Sequence, residues 1–111
     1  MANPYAGEVA LTIDGRRHVL KLTLGALAEL EAGLGEETLV ALIGRFESGG
    51  FASRDVLALI VAGLRGGGWQ GEAKDLMQSE IKGGAMEAAK VAAQLLVRAF
   101  GPVGVSDDDP V

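Results

Sequence analysis

Few side chains in this sequence have types and spacings that chemistry could use. Glu36-Glu37 and Asp107-Asp108-Asp109 are the adjacent carboxylates that acid–base catalysis would draw on. The pair stands where a helix begins and the triplet in a polar end, so both read as solvated charge. His18 is the single histidine and sits beside Arg16 and Arg17 in a strand pattern. One imidazole makes no metal cage, and a packed or edge position suits it better than a ligand or base. The chain has no cysteine, which excludes disulfides, thiolate zinc sites and cysteine nucleophiles. Gly66-Gly67-Gly68 has the glycines of a phosphate loop without its lysine and hydroxyl residue, and no strand precedes it. These residues point to no enzyme, no cofactor, no metal and no small-molecule substrate.

Binding to a macromolecule is the remaining class. The 111 residues are 49% hydrophobic and only 5% aromatic, with a net charge of −5, which disfavours a general phosphate-binding surface. Leu39 to Leu64 has the spacing of a helix-turn-helix. Its second helix, however, offers Arg54 and Arg65 at the two ends and nothing between them that reads a base edge. The longest apolar run, Val56 to Leu64, is too short to span a bilayer, and the first residues lack the pattern of a signal peptide. The expectation is a soluble, cytoplasmic protein that binds neither nucleic acid nor membrane.

The elements that must position any binding surface follow from periodicity. Val9, Leu11 and Ile13 alternate with polar or small neighbours, Asp14-Gly15 makes a tight turn, and a second strand ends near Leu22. Pairing Ile13 with Arg16 sets Val9 opposite Leu20 and Glu8 opposite Lys21, with Val9, Leu11, Ile13, Leu20 and Leu22 on one apolar face. Helices are expected at about 24–33 after Thr23, 37–47, 54–65 after Ser53, 72–82 and 85–100. The third is apolar nearly all round, as a central helix is. The fold class is therefore mainly α with an N-terminal β-hairpin packed on a bundle of four to five helices. Residues 1–101 read as a single domain and 102–111 as an acidic disordered tail.

Two features suggest where a partner would bind. Gly66, Gly67 and Gly68 form a flexible joint, and Gly83-Gly84 makes a break or a kink. Between them lie Trp69, Leu76, Met77 and Ile81, which either cover the core or form a partner-binding or self-association surface. On the last helix Glu87, Lys90, Gln94 and Arg98 leave so broad an apolar face that it needs neighbours within the chain or from another copy.

Asn3-Pro4, Gly7-Glu8-Val9, Ile13-Asp14-Gly15, the block Leu22 to Glu31, Arg45-Phe46, Ala62 to Gly68 and Ala92 to Leu96 together resemble a family. It is the small tail protein encoded in the structural gene cluster of alphaproteobacterial gene transfer agents and related phages. The family carries two labels, tail tube protein and tail assembly chaperone. A tube wall needs several long strands per subunit, whereas this chain offers one hairpin, so the chaperone is preferred. The resemblance then implies a non-catalytic protein that binds the tape measure protein, recruits tail tube subunits and is absent from the mature particle. The structural tube component is the alternative, and a helix-turn-helix DNA-binding regulator the remote one.

Overall fold

The computed structural model describes residues 2–3 and 6–101. The expected acidic tail, 102–111, lies outside the described residues. Two strands, β1 (Glu8–Ile13) and β2 (Arg16–Lys21), precede α1 (Leu24–Gly33), α2 (Leu39–Ser48), α3 (Ser53–Gly66), α4 (Ala73–Met77) and α5 (Gly84–Phe100). The hairpin has the register expected from the alternation: Ile13 pairs with Arg16, Val9 with Leu20 and Glu8 with Lys21. Asp14 and Gly15 both take positive φ, 51° and 78°, as a two-residue hairpin turn requires. Val9, Leu11, Ile13, Leu20 and Leu22 are all buried. The Glu8 carboxylate accepts the Asn3 N–H at 2.8 Å.

The third helix is central, as its all-round apolar sequence implies. It packs on β2, α1, α4 and α5, and buries Leu59, Ile60, Ala62, Gly63 and Leu64. At Gly63 a side chain would come within 2.7 Å of Leu95 Cδ1 and 3.1 Å of Leu20 Cβ, so glycine sets the approach of α3 to α5 and β2. Because α3 is enclosed on several sides, it cannot lie in a DNA groove, and the helix-turn-helix reading fails on packing.

Caps explain most differences at the helix ends. α2 begins at Leu39, two residues later than expected, because the Thr38 hydroxyl accepts the Ala41 N–H at 3.2 Å and outcompetes the acidic start at Glu37. α3 begins at Ser53 with Ala52 as its cap residue, so Ser53 is not the cap. The Asp55 carboxylate takes the orphan Ala52 N–H at 2.7 Å. The largest difference is at 72–82, where a single helix was expected and α4 stops at Met77. Ser79 donates to the Asp75 carbonyl at 2.9 Å and closes the turn. The chain then extends, and Ile81 bridges antiparallel to Ile13. The outer edge of β1 offers backbone groups that a continuing helix would leave without partners, and the extended segment satisfies them. Gly83 and Gly84, with φ of 89° and 70°, complete the break before α5.

Candidate interaction groove

Parts of both edges of the hairpin are covered. On the β2 side, α3 ends with Gly66 and Gly67 against the strand. A Cβ at Gly66 would strike the Lys21 carbonyl oxygen, and one at Gly67 the Val19 carbonyl oxygen. These glycines aim Cα–H groups at two strand carbonyls, a weak but recurring contact. Gly66 and Gly67 thus serve close packing, and of the triplet only Gly68 has positive φ, 104°. On the β1 side, Glu8 N–H donates to the Asn3 carbonyl at 3.0 Å and Asp14 N–H to the Glu80 carbonyl at 2.8 Å. Lys82 N–H donates to the Thr12 carbonyl at 3.0 Å, and Arg98 Nε to the Glu8 carbonyl at 3.2 Å.

A groove of about 1390 Å³ opens beside the covered edge of β1. Its floor is Val56, Leu57 and Ile60 of α3 with Leu76 of α4. It is also lined by the segment Ser79–Gly83 and by the start of α5 at Ala85, Ala88 and Ala89. The alanines keep α5 from filling the space. Phe51 closes one end and is held there by stacking on Phe46, with ring centroids 4.5 Å apart and planes 5° from parallel.

The Phe51 loop is fixed by an ion pair. Arg45 of α2 reaches Asp55 of α3 with Nε to Oδ2 and Nη2 to Oδ1, each at 3.0 Å, and Nη2 also meets Glu37 at 3.1 Å. Asp55 is 3% exposed. The fork of hydrogen bonds from the guanidinium holds its carboxyl below the usual carboxylate range against the opposing effect of burial, and the Ala52 N–H adds to it. Arg45 is raised by the same hydrogen bonding. α2 fully buries only Leu42, so this pair is a principal tie between α2 and the centre.

The four residues read as a partner surface separate here. Leu76, Met77 and Ile81 line the groove, and Trp69 does not. Leu76 is 4% exposed and belongs to the core, which removes it from any free surface, while Met77 is 71% exposed on the rim. Ile81 packs half-buried on the core through its bridge to Ile13. Trp69 folds its ring over Gly71 and against the core, and Arg65 holds the same loop through the Gly71 carbonyl at 3.2 Å. Arg54 entered from sequence only as a possible base contact, Phe51 not at all, and Ala85 and Ala89 not as groove residues. Their signal, a set of small residues on one face of α5 facing an apolar helix, has meaning only once the two helices are known to be neighbours.

Among the described residues no cluster of three His, Cys, Asp or Glu side chains could hold a metal, and no helix is long and apolar enough to cross a membrane. The groove carries Arg54, Glu80 and Lys82 as its charged members. What it can do is bury apolar side chains beside a basic rim.

A family model described as "Phage tail tube protein, GTA-gp10" matches residues 6–102. No curated protein and no solved structure matches the chain. The match takes in both strands and all five helices and gives the chain a structural role in a phage-like tail. It also corrects an expectation. A tail tube family is a family of particle components, so residence in the cytoplasm with absence from the mature particle is overturned.

Proposed function

We propose that this chain, which belongs to the phage tail tube family GTA-gp10, is a non-catalytic structural subunit that is built into the tail and held there by contacts with other tail proteins. The family match over residues 6–102 carries this reading. The structure supports it with a rigid centre, a wide apolar groove and exposed apolar residues at the end of α5, the equipment of a protein that is finished by its neighbours. Quantitative mass spectrometry of purified particles tests it. Many copies per particle, in a fixed ratio to the other tail proteins, are expected; absence from particles overturns it.

A second reading is favoured by one observation, the two-stranded sheet whose strands have six residues each. A barrel wall needs more strand than that from each subunit. On this reading the chain binds the tape measure protein during assembly and recruits tube subunits, with its helical faces burying an amphipathic partner. Co-expression with the tape measure protein, scored for a soluble complex, tests that step separately from particle composition.

A further inference from the structure

We infer that α2 is a hinged flap latched by the Arg45–Asp55 bridge, and that its release withdraws Phe46 from Phe51 and frees the groove on that side. The inference stands apart from the tail reading. α2 has the sparsest backbone packing of any element, whereas every other strand and helix lies close against at least one neighbour. Only Leu42 is fully buried, with Leu39, Ile43 and Phe46 half-buried against the core. No backbone hydrogen bond among the described residues joins α2 to another strand or helix, and its caps, Thr38 and Gly49, travel with it. The connections on its two sides, 35–38 and 49–50, are exposed. Each contains a glycine with positive φ, Gly35 at 71° and Gly49 at 82°, where a change of backbone direction meets little steric resistance.

The latch is built to separate. In the closed arrangement the Arg45 guanidinium donates to both Asp55 carboxylate oxygens at 3.0 Å. Its second acid, Glu37 at 3.1 Å, lies between Gly35 and α2 and so moves with the flap. Asp55 keeps the Ala52 N–H, which belongs to the start of its own helix. Opening therefore leaves each charge a partner and lets water reach both, so no buried charge is stranded. What opening loses is the fork of charged hydrogen bonds and the burial of Leu42, and these hold the flap shut. One contact couples the flap to the groove. Phe46 of α2 stacks on Phe51, which lines the groove beside Arg54 and Val56. When α2 leaves, Phe51 loses the ring that fixes it and the groove widens there.

Hydrogen exchange of the full-length parent chain, followed over a series of low urea concentrations, tests the flap. Amides at 43–48 are expected to exchange through an opening almost insensitive to urea, while those of α3 and α5 follow the steep slope of global unfolding. Asp55→Asn, which keeps an oxygen for the Ala52 N–H, is expected to speed α2 exchange at least about tenfold without steepening its urea slope. Glu37→Gln is expected to change it less than about twofold, because that acid serves Arg45 in both arrangements. Fluorine labels on the three phenylalanines of Asp55→Asn read the groove: Phe46 and Phe51 should exchange between two signals at one common rate, with Phe100 taking no part. An α2 that shares the urea slope of α3 in the parent overturns the flap, and that result needs no variant. Asp55→Asn with parent-like α2 exchange, or Glu37→Gln that speeds it as much as Asp55→Asn, overturns the latch. A single unexchanging signal at Phe51 overturns its coupling to the groove.

Discussion

The centre of the molecule and its groove side are made from the same apolar residue types and use them oppositely. Around α3, leucines and isoleucines meet each other across β2, α1 and α5, and glycine appears where backbones must touch, at Gly63, Gly66 and Gly67. From Ala73 to Ala89 the helix is cut to five residues, the chain runs extended along β1, and alanines face a space they do not fill. The first region satisfies itself. The second is supported by the first yet leaves apolar surface over.

Mutations can break that contrast or sharpen it. Ile60→Ala, at a side chain 1% exposed, is expected to cost about 2–5 kcal/mol in chemical denaturation, as a cavity in a packed centre does. If it unfolds like the parent, the centre is not where the stability lies. Leu76→Ala belongs with it despite lying in the groove floor, and thermal melting should fall clearly. Gly66→Ala should cost about 1–3 kcal/mol, because its new methyl meets a backbone oxygen and cannot be relieved by a rotamer change. A smaller loss follows acidification. Asp55 has a lower carboxyl pKa folded than unfolded, so its contribution is complete above the ordinary carboxylate range and is lost as pH falls through the depressed value. Asp55→Asn should flatten that part of the stability–pH curve. Met77→Ser, on the exposed rim, should change stability by no more than about 0.5 kcal/mol while lowering incorporation into particles.

The hairpin, its register and the central place of α3 were legible because alternation and all-round apolarity are local signals that packing here does not override. The groove was legible only in part. Met77 and Ile81 stand out in the sequence, but Leu76 has the same character and is core, since a helical pattern does not say which apolar residue faces inward when the helix ends after five residues. The extended run at Glu80–Lys82 depends on a strand edge nearly seventy residues earlier, and no window of sequence contains both. The union of Arg45 with Asp55 joins two helices ten residues apart and needed the fold. The glycine triplet carries a second meaning that sequence does not reveal, because the residue that permits motion also permits contact, and Gly66 and Gly67 lie against strand carbonyls.

One bond has a consequence for how the chain is made. The Asp14 carboxylate receives the Glu80 N–H at 2.8 Å across 66 residues, and the Asp14 N–H returns to the Glu80 carbonyl. During synthesis the hairpin emerges long before its cover. Contacts between residues so distant in the chain form late, after the intervening loop has been closed by helix packing. The outer edge of β1 therefore spends the early life of the molecule as an open template for pairing with another nascent chain. The hazard ends only when the segment at Glu80 arrives.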